Sequence, residues 1–433
     1  MLIEFVVKGS EDIYYEGEKK VLKNLLIKKN KRIFSDMFIN IIATILPVLL
    51  IQFVILPIVA QKYDEYNYGL ALTLISLITL SVQSFTVSLN NTRLLLNDTY
   101  ISLGRTGDFN ILLLAYSFIN ILFLTIGMYV YEATFNILSI LLVILISLFQ
   151  LVRGYLLVSF RININYKGIL FSNILLIIGY LLGMTVFLAT GYWQTIYLAG
   201  EVMSLIYVAL KTNLLKEPIK RTKLFKDTTK HSLVTLLASF LGTLNTQIDR
   251  LFLLPVLGPK MVAIYYISSL FGKTLSMCVA PINNVLLTYL SKMKKFSMST
   301  FNIMVIVASI LGVLCYVFII IVSEPLLTFL YPNYAKEALE LIYITTLTAI
   351  VTMLSTVINP IIMKFCNIIW QIWLNVINII TFIVLGFILI NLYGIIGFCY
   401  AALLASIVKF IIMIMVYYRN SSNIGAIGDE KDI

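Results

Sequence analysis

Charge is scarce in this 433-residue chain: Asp, Glu, Lys and Arg make up 12% of it, against about a quarter of an ordinary soluble domain. So little charge cannot clothe a globular surface, which excludes a water-soluble enzyme or binding module. Histidine is nearly absent, with His231 alone at the start of an apolar run. The four cysteines (Cys278, Cys315, Cys366, Cys399) all fall inside apolar runs without a CxxC pair. Zinc sites and disulfide frameworks need such clusters, so neither is expected, and no cofactor is expected. Residues 1–34 hold eight Lys and Arg and no sustained hydrophobic core, so no cleavable signal peptide is expected. Acidic residues are outnumbered 21 to 32 by Lys and Arg, a net charge of +11. A basic excess suggests nucleic acid, but no segment long enough to fold in water displays it, so no nucleic-acid partner is expected.

What the chain has in abundance is apolar length. Sixty per cent of it is hydrophobic, 60% by count, with a mean hydropathy of +0.96. Runs of the roughly 20 residues that cross a bilayer recur at 37–59, 69–91, 109–131, 135–159, 168–190, 192–211, 231–255, 262–288, 300–322, 338–362, 368–390 and 394–417. Backbone polar groups cannot face lipid unpaired, and the runs are too long and uniform for barrel strands, so each is expected to be a helix. The expected class is an all-α membrane protein with about twelve transmembrane helices. Lys and Arg collect on the cytoplasmic side. With the N-terminus placed there, the only loop cations left outside are Lys62, Lys260 and Lys336. The expected topology is a multi-pass protein of the cytoplasmic (inner) membrane with both termini in the cytoplasm. Tyr192 and Trp193 would lie at the outer interface.

The cationic segment around 212–230 divides the chain near its middle. The expected organisation is a cytoplasmic tail at 1–34, a six-helix bundle at 35–211, a linker at 212–230, a second six-helix bundle at 231–418 and a tail at 419–433. The halves open alike: QKYDEYNYGLALTLISL from Gln61 and VLGPKMVAIYYISSLF from Val256 each follow a spanning run. Their agreement in position and direction suggests two parallel repeats related by an axis along the membrane normal.

Four spans carry polar stripes at helical spacing, which set one face toward other helices or water. They are Ser76, Thr79, Gln83, Thr86 and Asn90; Ser239, Thr243, Thr246 and Arg250; Ser269, Lys273 and Ser276, followed by Pro281, Asn283 and Asn284; and Thr345, Thr348, Thr352, Ser355 and Asn359. Ser and Thr serve helix packing equally well. Charges inside the membrane say more, because each costs several kcal/mol unless paired or wet. They are Arg153, Glu201, Asp249, Arg250, Lys273 and Lys409. Lys273 is a dozen residues from its helix end, roughly 18 Å deep at 1.5 Å per residue. Asp249 and Arg250 are adjacent and should not face each other. Glu201 reads either as a proton or sodium site or as the counter-ion of Arg153. Cations outnumber acids in this set, so an anionic cargo would restore balance, with Arg and Lys the usual partners of phosphate.

The stretch LNTQIDRLFLLPVLGPKMVAIYYISSLFGK, residues 244–273, resembles the signature of polysaccharide-biosynthesis flippases, including those for O-antigen and capsule repeat units. Asp249, Arg250, Gly258, Pro259 and Tyr265 carry the likeness; Ala263 and Ile264 depart from it where a glycine often precedes the tyrosines. The resemblance, within a superfamily that includes multidrug exporters and lipid II flippases, implies two six-helix bundles around a central cavity and alternating access. It implies a polyprenyl-diphosphate-linked oligosaccharide as cargo. On that reading Arg153, Arg250, Lys273 and Lys409 hold the diphosphate, while Gln83, Asn90 and Asn359 take sugar hydroxyls. Glu201 or Asp249 couples transport to H+ or Na+. The protein would act as a monomer among membrane lipids, near a glycan polymerase and glycosyltransferases. A cation-coupled drug exporter is the first alternative, weakened by the lack of an acid in the first span beyond Asp36. A membrane glycan polymerase is the second, weakened by the lack of a metal-ligand or acid/base cluster in an external loop.

Overall fold

The computed structural model describes residues 39–104, 106–131, 136–290, 297–366 and 369–429. The proposed tail at 1–34 and the short segment after it lie outside this set, as do the side chains of Pro281, Asn283 and Asn284. Among the described residues there are twelve long helices and no strand. They are α1 (Ile39–Lys62), α2 (Glu65–Ser102), α3 (Asp108–Val130), α4 (Ile137–Ile162), α5 (Tyr166–Thr190), α6 (Gln194–Lys211), α7 (Phe225–Leu257), α8 (Pro259–Leu290), α9 (Met298–Leu330) and α10 (Ala335–Phe365). The last stretch, Ile369–Asp429, is broken at Gly394 into α11 (369–393) and α12 (395–429). Gly394 has φ 58°, a conformation costly for any residue with a Cβ. The reversal there brings Phe382 against Phe398, ring centroids 5.3 Å apart.

Helix ends follow local chemistry. The Asp64 carboxylate accepts from Asn67 N–H at the start of α2, and the Ser297 hydroxyl accepts from Thr300 N–H at the start of α9. Gly191 closes α5 in the left-handed region, φ 81°. Two helices outrun their apolar cores: α2 continues to Ser102 and α7 begins at Phe225, so both project past the hydrophobic span at the linker end.

The helices form two lobes. α1–α6 pack together, α5 on α6 and α4 on α2 and α6; α7–α12 form the second set, with α10 central against α8, α9, α11 and α12. α2 is largely buried, whereas α9 exposes most of its apolar surface, including Val313, Leu314, Phe318 and Ile321. Exposed apolar faces of this extent are what lipid solvates, and the molecule is a multi-pass membrane protein.

The lobes meet along α2. At the end opposite the linker, Gly69 of α2 lies against Pro259 of α8, so close that a Cβ on Gly69 would stand 1.8 Å from the Pro259 carbonyl oxygen. The two matching sequence motifs thus pack on each other. Lys260 reaches Glu65 at 3.1 Å and Glu337 at 3.2 Å across the same junction. Toward the linker end, α2 and α7 are joined by hydroxyls. Ser88 Oγ donates to Ser232 O at 2.6 Å, Ser239 Oγ donates to Ser84 O at 3.0 Å, and Thr92 and Thr235 are 3.2 Å apart. The Tyr116 hydroxyl completes the group, 2.7 Å from Ser232 Oγ.

A π-turn at Ile51–Ile55 explains a further tie. Leu56 N–H donates to Ile51 O, so the next N–H would fall to Gln52 O, but residue 57 is proline and has none. The Tyr331 hydroxyl from the other lobe donates to that carbonyl instead, at 3.1 Å.

Candidate functional site

The ionisable residues inside the helices sort into three groups. Arg153 on α4 donates from Nε to Glu201 Oε2 at 2.5 Å and from Nη2 to Oε1 at 3.2 Å. Both side chains are buried within the first lobe. This bidentate pair is self-neutralising, and of the two sequence readings of Glu201 the geometry is that of a counter-ion.

The second group lies on α7 and α8. Residues 249 and 273 flank the Gly258 turn, so the hairpin brings their helices side by side. Lys273 Nζ donates to Asp249 Oδ2 and lies 5.6 Å from the Tyr265 ring centroid. Its side chain is 26% exposed against 11% for Asp249, so the lysine opens onto free space while the acid lies behind it. Arg250 sits beside them, its guanidinium carbon 5.0 Å from the Tyr266 ring centroid. Asp249 and Arg250, expected not to face each other, are in contact after all. The residues do not stack, but Asp249 Oδ1 accepts Arg250 N–H at 2.9 Å and stands 4.0 Å from Arg250 Nε. Beyond that marginal contact the Arg250 guanidinium, 9% exposed, has no hydrogen-bond acceptor among the described residues, and its Nε is fully buried. Gln247 Oε1, Tyr197 OH and Tyr68 OH are likewise buried without a partner. A buried guanidinium without oxygen partners is expensive, and an anionic oxygen is the ligand that relieves it best.

The third group surrounds Lys409 on α12. Its ammonium donates to Asn375 Oδ1 at 3.3 Å, and Asn245 Nδ2 donates to the same oxygen at 2.8 Å. Asn378 Nδ2 donates to Asn245 Oδ1 at 3.0 Å. Lys409 therefore has an amide and, among the described residues, no carboxylate. Asn245 is one helical turn from Asp249, so α7 links the two groups along one face. At Gly242, a turn nearer the linker, nothing lies within 4 Å of where a Cβ would stand, so open space flanks this face.

With Arg153 and Glu201 cancelling, Asp249 offsets one of the three cations Lys273, Arg250 and Lys409, and two positive charges are left over. The other sequence candidates divide. Gln83 is exposed next to Ser84, at the crossing of α2 and α7. Asn90 Nδ2 donates to Gly154 O at 3.0 Å and joins α2 to α4. Asn359 is half-exposed and meets Met363 Sδ at 3.9 Å. Asn245, Asn375 and Asn378 were not among the sequence candidates. The signal was present: Asn245 is four residues before Asp249, and Asn375 and Asn378 share a face of α11.

No family model matches this sequence, and no curated protein matches it. Solved structures do resemble it. That of the lipid II flippase MurJ in an inward closed conformation aligns with a TM-score of 0.65 at 15% identity, covering 92% of this chain and 90% of that one. A MATE in complex with MaD3S aligns at 0.59 and 12% identity, covering 89% and 95%. An outward-facing multidrug resistance MATE family transporter of the MOP superfamily aligns at 0.58 and 11%, covering 89% and 94%. With such low identity the likeness speaks for architecture: the chain has the fold of these flippases and exporters, twelve spanning helices in two six-helix lobes.

Proposed function

We propose that this protein is a flippase that carries a polyprenyl-diphosphate-linked oligosaccharide from the cytoplasmic to the outer leaflet by alternating access. The observation that carries the reading is the surplus of positive charge in the second lobe, above all the buried Arg250 guanidinium without a hydrogen-bond acceptor among the described residues. A diphosphate matches it in charge and in oxygen geometry. The fold shared with a lipid II flippase supports a lipid-linked cargo. In this mechanism Lys409 and Lys273 attract the diphosphate from the linker side, taken as cytoplasmic. Arg250 receives it as the lobes rock, and the polyprenyl chain stays in the bilayer. Gln83 and the amides of Asn245, Asn375 and Asn378 offer hydrogen bonds to the sugars, while Asn90 and Asn359 play a lesser part. Asp249 is the coupling acid: cargo oxygens would take Lys273 and Arg250 from it and leave it free for H+ or Na+. Arg153 and Glu201 act as a fixed neutral pair. The protein works in the inner membrane with both termini cytoplasmic, as a monomer. Drug export, by the likeness to multidrug resistance transporters, is a second reading, but the surplus of positive charge around Arg250 and Lys409 disfavours a cationic cargo.

Deletion of the gene is expected to abolish surface glycan and to leave lipid-linked repeat units in the cytoplasmic leaflet. Wild-type protein restores export; Arg250→Ala and Lys273→Ala at equal protein level do not. Normal surface glycan in the deletion strain, or full rescue by both variants, would end the proposal.

A further inference from the structure

The end opposite the linker holds a pocket that the charged site does not use. Its volume is about 280 Å³, and Tyr63, Ser139, Thr190, Tyr192, Trp193 and Gln194 line it, with Asn67 at the rim. The α1–α2 turn, the start of α4 and the α5–α6 turn build it. The Tyr63 hydroxyl donates to Gly191 O at 2.5 Å and accepts Trp193 N–H at 3.4 Å, which pins the two turns together. Trp193 is held edge-on against Tyr197, ring centroids 5.6 Å apart. The wall is therefore rigid.

Gln194 is the informative residue. It is 2% exposed, its Oε1 is buried with no hydrogen-bond partner, and its amide nitrogen has none among the described residues. Its Oε1 has no accessible surface, so the Nε2 donor is the part of the amide left for a ligand in the pocket. Among the described residues no charged side chain lines the pocket, which argues against a phosphate or an amine. Aromatic rings beside a free amide suit a neutral ring with hydroxyls on its edge and C–H groups on its face. The volume is at the small end for ligand pockets, enough for one ring and not for a chain of them.

We infer that this pocket is a subsite for a single neutral sugar ring. Gln194 Nε2 donates to a ring hydroxyl, and Tyr192 and Trp193 supply the apolar wall. The identity of that sugar as part of the carried head group rests on the flippase reading; the pocket's preference for a polyhydroxylated ring does not. Asn67 is two residues from Glu65 and from Gly69, which touch the second lobe, so the pocket adjoins the place where a head group would leave.

The test uses the full-length protein in lipid nanodiscs, with Trp370→Phe and Trp373→Phe leaving Trp193 as the sole tryptophan. Its fluorescence is followed while methyl glucoside, methyl galactoside and methyl N-acetylglucosaminide are titrated into the millimolar range, with glycerol as the acyclic control. At least one sugar is expected to give a saturable change that glycerol does not. Gln194→Leu, close in size, is expected to weaken it about fivefold, as loss of one hydrogen bond does. Asn67→Ala provides a second, exposed probe should the leucine variant fail to fold. The absence of saturable binding to every sugar, or binding equal in folded Gln194→Leu and wild type, overturns the subsite. The flippase reading fails on export alone, and the subsite fails on this isotherm alone.

Discussion

Asp249 and Glu201 are both carboxylates buried in helices, yet their surroundings differ, and mutation is expected to separate them. Glu201 answers one cation with two hydrogen bonds and has nothing left over. Removing one partner of such a pair strands the other, at a cost of about 3–5 kcal/mol. Glu201→Gln is therefore expected to lower the detergent unfolding temperature sharply. Arg153→Met combined with Glu201→Leu should recover most of the loss, and export per folded molecule should change little. Arg250 behaves in the opposite way: it has no acceptor to lose, so Arg250→Gln should leave the unfolding temperature unchanged or raise it while abolishing export. The presence of all six charges was legible, because a charge amid twenty apolar residues stands out. Their pairing was legible only in part: Arg153 was one of two readings of Glu201, and the bond from Lys273 to Asp249 was not read at all. Whether Glu201 meets Arg153 depends on how α4 and α6 are rotated about their axes, which apolar periodicity leaves loose in a helix that is hydrophobic all round.

The helices themselves were nearly all readable, within a few residues at each end, since lipid permits no other backbone for such runs. Four ends miss by more: α9 continues to Leu330 against an expected 322, α12 continues to 429 against 417, and the other two are instructive. α2 runs to Ser102 and α7 starts at Phe225, in stretches too polar to count as spans. Polar projections at the linker end are stabilised by a strap that hydropathy cannot show. Asp108 accepts from Thr222 N–H at 2.7 Å and Thr222 Oγ1 at 2.5 Å, and Tyr100 OH donates to it at 2.7 Å. Arg93 holds Glu217 through Nη1 at 3.0 Å, and Asn110 Nδ2 donates to Leu214 O and Glu217 O. The segment that joins the lobes is thus fastened to the first one. Asp108→Ala removes three of these bonds, each to a charged group and worth about 1.5–3 kcal/mol. Tryptic cleavage at Lys220, Arg221 or Lys223 is expected to quicken at least about tenfold; an unchanged rate would show that the strap holds without it.

Across the whole molecule, the lobes are joined differently at their two ends. Opposite the linker they touch backbone to backbone, with Gly69 on Pro259 and Lys260 between Glu65 and Glu337. Gly69→Val cannot occupy that junction, so it should hold the lobes apart there. The expected result is normal protein level, no export, and lost cross-linking between cysteines placed at 65 and 337. The sequence motifs predicted that the two turns correspond; only their packing shows that they meet. Toward the linker the contact is a row of serines and threonines between α2 and α7. Apolar knobs sunk in a partner helix must leave a void when they withdraw, whereas a hydroxyl that lets go of its neighbour can turn to water with little change in free energy. A fastening made this way opens and shuts many times at small cost, and it opens only where water can enter. Wetness at that seam would then set the pace of the cycle.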